Sequence, residues 1–394
     1  MSCKMDIPTF GVEEELLLVD PITGAPLMES TAVRHVAKSL GLELQLEITP
    51  CQIETATPVL NTSSELRHHI LSSRRTAESA AREMGGRLLA CGLPPMPGDI
   101  RPVSGTDRYQ LLADTFGLLA SEQGVSGCHV HVAVPDRGRG IAVISRSRRW
   151  LPVLLALTAN SALHNAIDTG YDSWRMVLWS RWPTADCPPH FESENDYDTA
   201  IARMIAVGAA LDEGMIYWDI RYSGKFQTVE FRVSDVPATT DETVLCATLV
   251  RALVMTELAA LQRNDDPPPP VDTSWLRLAK WRAARDGITG MCPDPLSGSM
   301  VDTRTAVDHL VRHVSDALDL LGDHTMVTDT IEKVFTSGNG AVHQRRAFHL
   351  GGIEAVLDHV ATRTIADTLE PGRETLETEG GTDACMAGEE SRSG

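Results

Sequence analysis

The stretch that most constrains the fold is 9–19, TFGVEEELLLV, in which three consecutive glutamates interrupt an apolar run with strand character. Side chains alternate between the faces of a strand, so Glu13 and Glu15 share one face, about 6.5–7 Å apart, whereas Glu14 faces the other way. An isolated buried carboxylate is costly. The stretch therefore predicts either an exposed strand edge or a strand whose carboxylates bind a hard cation such as Mg²⁺ or Mn²⁺.

Three further strand-like stretches place ionisable side chains in an apolar context. Glu54 lies in QIETAT, and Glu230 shares a strand face with Arg232 in TVEFRVSDV. His129 and His131 share a face in GCHVHVAV. Each feature alone is typical of a core histidine or of a structural ion pair. Together they predict one concave sheet face on which carboxylates and imidazoles converge.

Several arginines lie among aromatic residues. Arg221 lies in WDIRYS, Arg175 in DSWRMV and Arg181 in WSRWP. Each could be a surface side chain whose stem packs on tryptophan. Guanidinium groups also pair with carboxylates and phosphates in a bidentate way. Carboxylates for a metal combined with arginines for an anion favour a metal–phosphate site.

Composition excludes several function classes. The net charge is −19, from 35 basic and 54 acidic side chains, which argues against nucleic-acid binding and against docking on anionic membranes. We identify no N-terminal signal and no apolar run long enough to span a membrane, so we expect a cytoplasmic protein. The eight cysteines form no CxxC pair and are expected to be reduced packing residues. The chain lacks the GxGxxG and GxxxxGK[ST] patterns of common nucleotide-binding folds.

Helices and strands alternate without a regular βαβ pattern. We expect residues 1–365 to form a single domain and the acidic segment 366–394 to be a disordered tail. Hydrophobic periodicity and turn residues predict strands at 9–19, 42–48, 51–59, 125–134 and, as a pair around a Ser-Gly turn, 217–236. The same signals predict helices at 31–40, 63–88, 107–122, 141–163, 240–263, 273–286, 303–322 and 326–361.

The motifs of this chain, and their order along it, resemble those of the carboxylate–amine ligases related to type 2 glutamate–cysteine ligase. The resemblance covers roughly residues 7–360. It is carried by FGVEEELLLVDPITG, QIETATPV, DRYQLLADTFGLLA, GCHVHVAVPD, DTGYDSWRMVLWSRWPT, YWDIRYSGKFQTVEFRVSDVP and KWRAARDGITG.

The resemblance implies an α+β fold of the glutamine synthetase/guanido kinase type. In this fold a curved, mostly antiparallel sheet forms an acidic funnel and is backed by helices. It also implies ATP and Mg²⁺, with Mn²⁺ as a substitute, and activation of an acid as an acyl phosphate that an amine attacks. The default reaction of the family joins L-glutamate and L-cysteine to give γ-glutamylcysteine, ADP and phosphate.

The resemblance assigns roles to residues of this chain. The implied metal ligands are Glu13, Glu15, Glu54, His129 and Glu230. The implied nucleotide-binding residues are Glu13, Glu230, Arg221 and Arg232, of which the two arginines are also assigned to catalysis. The implied substrate-binding residues are Arg175, His131 and Arg181.

The chain departs from the family pattern at GLPPMPG, residues 92–98, and at SALHNA, residues 161–166. We expect both segments to alter pocket walls, which keeps open a second ligase hypothesis, in which an acid is joined to an amine other than cysteine. Two other hypotheses remain: a metal-dependent hydrolase and a non-catalytic binding relative. We expect small-molecule acid and amine partners and take a homodimer as the working hypothesis for assembly, although no residue pattern points to it.

Overall fold

The structure is a computed structural model, and it describes residues 7–98, 103–122 and 124–367. Its strands, in chain order, are β1 Phe10–Val19, β2 Gln45–Leu46, β3 Gln52–Ala56, β4 Arg87–Leu89, β5 Gly127–Ala133, β6 Leu163–His164, β7 Ile167–Asp168, β8 Ile220–Ser223, β9 Thr228–Asp235, β10 Met291–Pro293 and β11 Met300–Asp302.

The helices outnumber the strands. They are α1 Ser30–Ser39, α2 Ser63–Glu83, α3 Asp107–Phe116, α4 Leu118–Ser121, α5 Arg137–Ser147, α6 Leu151–Thr158, α7 Trp174–Trp179, α8 Glu194–Ala206, α9 Thr240–Gln262, α10 Thr273–Asp286, α11 Thr303–His313, α12 Ser315–Leu321, α13 His324–Ser337 and α14 Gly340–Ile365.

The main sheet has seven strands in the order β2-β3-β1-β5-β9-β8, and β4 also pairs with β1. Every pairing in it is antiparallel. The sheet is open, with β2 and β8 at its edges, and β6–β7 and β10–β11 form separate hairpins. The expected mixed fold with a mostly antiparallel sheet is thus confirmed.

The two faces of the sheet differ in chemistry. Along β1, Val12, Glu14 and Leu16 are buried, whereas Glu13 and Glu15 are partly exposed, which is the alternation expected of a strand covered on one side. Helix α9 packs against β5, and α6 packs against β9. The helices therefore cover one face and leave the face of Glu13 and Glu15 open to ligands.

Helix α9 is the centre of the core. It is 23 residues long, with a mean hydropathy of 1.9 over an 18-residue window that is 72% buried, so by length and composition it could span a membrane. The sequence analysis expected no apolar run of this length, so it missed this stretch. It contacts α2, α5, α12 and α13 as well as the sheet, which is the environment of a core helix in a globular protein.

Long predicted helices are interrupted where the backbone requires it. The helix expected at 107–122 breaks at Gly117, which has φ +58°. The segments expected at 141–163, 303–322 and 326–361 each contain two helices, and α14 is itself kinked at Gly351 and Gly352. The strand expected at 42–48 is reduced to the two residues of β2.

The six cysteines within the described residues are buried and form no disulfide there, as expected for packing residues, and the other two, Cys3 and Cys385, lie outside the described residues. Most of the predicted tail, 368–394, also lies outside them. Within the described part, Asp367 is paired with Arg67 of α2 at 2.6 Å. The single-domain organisation stays a prediction.

Candidate active site

Strand register brings the predicted site residues together. Glu13 lies opposite His129 of β5, and Glu15 lies opposite Glu54 of β3. On the next pair of strands, His131 of β5 lies opposite Glu230 of β9, which lies opposite Arg221 of β8. Directly opposed side chains on one face are close neighbours, so five strands present these groups to a common space.

The third glutamate of the run has a separate role on the covered face. Glu14 is completely buried and is paired with Arg74 of α2, whose Nη2 and Nε lie 2.7 and 2.9 Å from its carboxylate oxygens. The hydroxyl of Thr243 also donates to Glu14, at 2.6 Å. The EEE sequence therefore combines two outward carboxylates with one structural ion pair.

Three overlapping groups of side chains could bind metal ions. Within each group, one candidate ligand atom from each residue lies within 4.8 Å of the others. The groups are Glu13, Glu54 and His129; Glu13, His131 and Glu230; and Glu15, Glu47 and Glu54. Because Glu13 and Glu54 each belong to two groups, the arrangement suits neighbouring cations that share carboxylate ligands.

Histidines hold Glu13 in its charged form. His129 Nδ1 lies 3.3 Å and His131 Nε2 lies 3.5 Å from the same carboxylate oxygen of Glu13. Burial alone would raise the pKa of Glu13, but the two neighbouring histidines lower it far below its usual range. Burial and the nearby Arg232 lower the pKa of His129, which favours the neutral imidazole that metal binding requires.

Glu230 is paired with both predicted catalytic arginines. Arg221 Nε lies 2.7 Å from one oxygen, and Arg232 donates to the other. Burial would raise the pKa of Glu230, but the two guanidinium groups lower it well below its ordinary value. Burial would lower the pKa of Arg232, and Glu230 and Glu15 raise it instead. Arg232 therefore stays charged on the sheet face, and Arg221 is held beside it by the same carboxylate.

The carboxylates at the β2–β3 side repel one another. Burial and the charge of Glu15 raise the pKa of Glu47 to about 8. Burial and the charges of Glu47, Glu13 and Glu15 also raise the pKa of Glu54. A bound cation would relieve this repulsion, which is the charge pattern expected of a divalent-cation site.

A bulge in the sheet lies beside these groups. Cys128 lies opposite Ser234, but Val130 lies opposite Phe231, so β9 carries one residue more than β5 across this interval. Arg232 falls within the interval, and its Nη1 lies 3.4 Å from His129 Nδ1. Bulges commonly occur beside active sites, where they re-aim side chains.

Arg175 lies underneath the site. It is 3% exposed, and its Nη1 lies 3.7 Å from Asp235 and 3.5 Å from the Val233 carbonyl. A Cβ atom on Gly127 would lie 2.3 Å from Arg175 Nη2, so only glycine allows this approach. The Gly127 N–H in turn donates to Glu15 at 2.6 Å. In this structure Arg175 supports the strands that carry the site.

The other two predicted substrate residues occupy different places. His131 lies within a possible metal-binding group and also donates to or accepts from the Thr228 hydroxyl at 2.9 Å. Arg181 is 38% exposed and is paired with Glu122 at 2.6 Å, outside both cavities described next.

Two cavities open on either side of the carboxylate groups, and Glu13, Gly214 and Arg221 line both. The first, about 480 Å³, is called the hairpin cavity because the β8–β9 hairpin forms much of it; its lining includes Arg137, Tyr222, Lys225, Phe226 and Glu230. The second, about 280 Å³, is called the aromatic cavity; its lining includes Glu15, Glu47, Glu54, Arg108, Tyr109, Trp179, Trp182, Tyr217 and Arg232.

Sequence inspection missed part of this site. Glu47 was not expected to be a ligand, although the alternation of LELQLEI already placed it toward the site. Tyr109 and Tyr217 carried no local signal, because helix α3 and the turn before β8 reach the cavity only through tertiary packing. Burial is the main cause that raises the pKa of the phenol hydroxyl of each of these tyrosines.

The two segments that depart from the family pattern, 92–98 and 161–166, do not line either cavity. The described residues that line the two cavities include none from 92–98 or 161–166. Instead the segments contact each other, through Ala166 N and the Pro95 carbonyl, and surround the buried Asp235, which accepts from the Ser161 hydroxyl at 2.7 Å. The expectation that they alter pocket walls is therefore wrong for these two cavities, because the described contacts of both segments are with each other and around Asp235.

Comparison with known proteins identifies the family. The family model described as glutamate–cysteine ligase family 2 (GCS2) matches residues 9–359. Over 362 residues, 91% of this chain and 99% of the other, the protein is 50% identical to one of Mycolicibacterium smegmatis provisionally named glutamate–cysteine ligase 2-3. It is 48% identical, over 92% of this chain and 99% of the other, to a Mycolicibacterium vanbaalenii protein provisionally named glutamate–cysteine ligase 2-2. The chain belongs to glutamate–cysteine ligase family 2 and is an enzyme of the ligase class.

Solved structures share the fold at low identity. A glutamate–cysteine ligase of Francisella tularensis in complex with AMP has a TM-score of 0.62 and 14% identity, covering 93% of this chain and 91% of that one. A bifunctional glutathione synthetase of Pasteurella multocida has a TM-score of 0.64 and 17% identity, covering 91% of this chain and 52% of that one. The predicted resemblance and fold class are thus confirmed.

Proposed function

We propose that this protein is an ATP-dependent ligase that activates a small carboxylic acid as an acyl phosphate and joins it to an amine. The observation that carries the proposal is the placement of the three overlapping groups of possible metal ligands between two cavities. One charged centre can then face a nucleotide on one side and an acid on the other, as phosphoryl transfer between two bound substrates requires.

The residues present fit divalent cations. His131 Nε2 is buried without a hydrogen-bond partner within the part of the chain that the structure describes, and it belongs to one of the three groups. The all-carboxylate group around Glu15 suits Mg²⁺, and the two histidine-containing groups also suit Mn²⁺. When bound, these ions would offset the charge of the triphosphate and of the carboxylates.

The hairpin cavity is the proposed nucleotide site. Lys225 and Arg137 supply positive charge in its lining, and Phe226 is an exposed aromatic ring on which a base could stack. The ring of Phe226 lies edge-on to His131 at 5.5 Å, so a nucleotide there would reach the Glu13, His131 and Glu230 group.

The arginines of the sheet face have a defined electrostatic role in this proposal. Arg221 and Arg232 are fixed by Glu230 before any ligand arrives, so they require little reorganisation when negative charge moves from the nucleotide to the acid. Arg221 lines both cavities, which places its guanidinium beside both ligands. The chain needs no covalent nucleophile for this reaction.

The names of relatives indicate which substrates to test first. Relatives are provisionally named glutamate–cysteine ligases, so glutamate and cysteine are the first pair to consider. The alternative is a different small acid or amine in the aromatic cavity. The lining of that cavity includes residues of α3, α7 and the turn before β8.

The test is ADP release by the purified protein with Mg²⁺-ATP. Acids and amines are supplied singly and in pairs, and the amide product is identified by mass spectrometry. Release that requires one acid together with one amine supports the proposal. Turnover of an amide without ATP would replace it with a metal-dependent hydrolase, and nucleotide binding without turnover across a broad panel would favour a non-catalytic relative.

A further inference from the structure

Helix α10 has a lysine on its buried face. The residues of α10 that pack inward are Leu276, Ala279, Lys280, Ala283 and Ala284. The Lys280 side chain is 3% exposed, and a buried ammonium group is costly unless carboxylates pair with it. Among the described residues that line the two cavities, none comes from the KWRAARDGITG motif, which begins at Lys280. The lysine therefore has a role inside the fold that direct ligand contact does not explain.

Two aspartates receive the ammonium group of Lys280. Its Nζ lies 2.8 Å from an oxygen of Asp186 and also donates to Asp219, the residue before β8. Burial would lower the pKa of Lys280, but the charges of the two aspartates raise it above its usual value. The backbone N–H of Asp219 donates to the Asp186 carbonyl at 3.0 Å, which joins the same two residues a second time. Helix α10 is thereby fixed to the start of β8.

Asp186 has an unusual backbone conformation. Its φ is +131°, in a region that residues with a side chain rarely adopt. Such strained residues persist only where their surroundings determine them, and they cluster at functional sites. The carboxylate of Asp186 accepts from the Cys187 N–H at 2.7 Å as well as from Lys280. The turn and the ammonium group therefore hold each other in place.

One backbone hydrogen bond connects this charged cluster to the site. The Arg232 N–H donates to the Asp219 carbonyl at 2.7 Å. This bond continues the β8–β9 ladder one step beyond the pairing of Ile220 with Phe231. On its other side Arg232 lies in the bulge, where the register with β5 shifts. The position of the Arg232 backbone therefore depends on Asp219.

We infer that Lys280 is a positioning residue, which fixes the Arg232 backbone through Asp219 and so aims the guanidinium at the sheet carboxylates. The inference rests on the proposed function for the role of Arg232 in turnover. Arg232 donates to Glu230, and its Nη1 lies 3.4 Å from His129 Nδ1, so a small backbone shift changes contacts with two possible metal ligands. Without the ammonium group, the two aspartates would repel each other and move the carbonyl that accepts from Arg232.

A double-mutant cycle tests whether Lys280 acts through Arg232. Lys280→Met keeps a long unbranched side chain without the charge, and Arg232→Lys keeps a charge without the planar guanidinium. In the wild-type background, Lys280→Met should lower kcat by about tenfold or more and leave KM for ATP nearly unchanged, as for a contact made in the transition state. In the Arg232→Lys background it should change kcat by less than about twofold, because the guanidinium that it misplaces is already absent.

Two further variants separate positioning from stability. Arg146→Gln removes another buried cation, 7% exposed, whose Nη1 lies 3.9 Å from Glu257 and which lines neither cavity. It should lower the melting temperature and leave kcat unchanged where the protein is folded. Lys280→Met combined with Asp219→Asn should recover part of the lost kcat, because it removes the repulsion between the two carboxylates.

Arginine side-chain NMR gives a readout without turnover or ligand. The Nε–H signal of Arg232, assigned by its loss in Arg232→Lys, should shift in Lys280→Met and keep its position in Arg146→Gln. Lys280→Arg keeps the positive charge, which protects the measurement against loss of the fold, and should shift the same signal by a smaller amount.

The inference is overturned if the Arg232 signal is unmoved in both Lys280 variants, or if Lys280→Met lowers kcat by the same factor in both backgrounds. If the wild type releases no ADP with any acid and amine, the proposed function fails. The NMR measurement then still decides whether Lys280 positions Arg232.

Discussion

At the scale of single residues, Glu54 and Glu230 illustrate two kinds of site carboxylate. Glu230 is already neutralised by two guanidinium groups. Glu54 belongs to two of the possible metal-binding groups, and its surroundings are dominated by other carboxylates, which raise its pKa together with burial. Replacing Glu230 would therefore leave buried arginines without their partner, whereas replacing Glu54 changes mainly the binding of a cation.

We predict that Glu54→Gln lowers turnover by about 100-fold or more, the scale of one preorganised electrostatic contact. In the absence of divalent ions its melting temperature should equal or exceed that of the wild type, because the change removes one of several mutually repelling charges. Steady-state ADP release and thermal denaturation with and without Mg²⁺ provide the two measurements. Unchanged turnover would remove Glu54 from the proposed set of metal ligands.

At the scale of secondary-structure elements, the Glu14–Arg74 pair connects strand β1 to helix α2. Arg74 also donates to the carbonyls of Pro237 and Thr364, so one side chain joins β1, α2, the start of α9 and the end of α14. A buried charge that loses its partner is strongly destabilising, whereas replacing both partners by apolar groups often costs little.

Arg74→Met is expected to lower the free energy of unfolding by about 3–5 kcal/mol, because it leaves Glu14 buried and unpaired. The double variant Glu14→Leu with Arg74→Met should recover part of that loss, although the carbonyls that Arg74 bound remain without their donor. Urea unfolding of the four proteins of this cycle measures the coupling. A loss of stability in the double variant equal to the sum of the two single losses would show that the pair is not coupled.

Elements with strong local signals could be predicted from the sequence. The alternation of 9–19 gave β1 within one residue, and the helix expected at 273–286 matches α10 at both ends. Breaks inside helices were missed, since Gly117 and the Gly351–Gly352 kink matter only through their backbone angles in the folded chain. The short strands β6, β7, β10 and β11 were also missed, because two or three residues carry too little periodicity.

The site was predictable where strands carry it. Glu13, Glu15 and His129 were found because alternation on a strand fixes the face of each side chain. Arg108 and Trp179 were not found as lining residues, since short helices bring them to the cavity and no period in the sequence indicates which neighbour they meet. The metal, nucleotide and substrate roles of all these residues remain proposals.

At the scale of the whole molecule, the two ends of the described chain meet on one sheet. The N-terminal strand β1 is central in the sheet, and α14 packs against β4 and α2. Near its end, the Thr364 hydroxyl accepts from the backbone N–H of Ala90 at 2.8 Å. This arrangement supports the proposal of a single domain that extends to about residue 367.

A chain ending at Asp367 is predicted to keep the melting temperature and ADP release of the full protein. A chain ending at Val360 should melt at a lower temperature, because it loses Thr364 and with it partners of Ala90 and Arg74. Differential scanning calorimetry of the two truncations and the full chain distinguishes them. A lower melting temperature on removing only 368–394 would contradict the predicted boundary.

The opposite orientation of Glu14 and its two neighbours also bears on how the sheet assembles. A slip of β1 by one residue would turn every side chain to the other face. It would direct Glu13 and Glu15 into the apolar layer, where Arg74 is the guanidinium that pairs with the single carboxylate of Glu14. A mis-registered sheet would then bury an uncompensated charge. The same three glutamates that prepare one face for ligands thus penalise the wrong alignment of the strand that carries them.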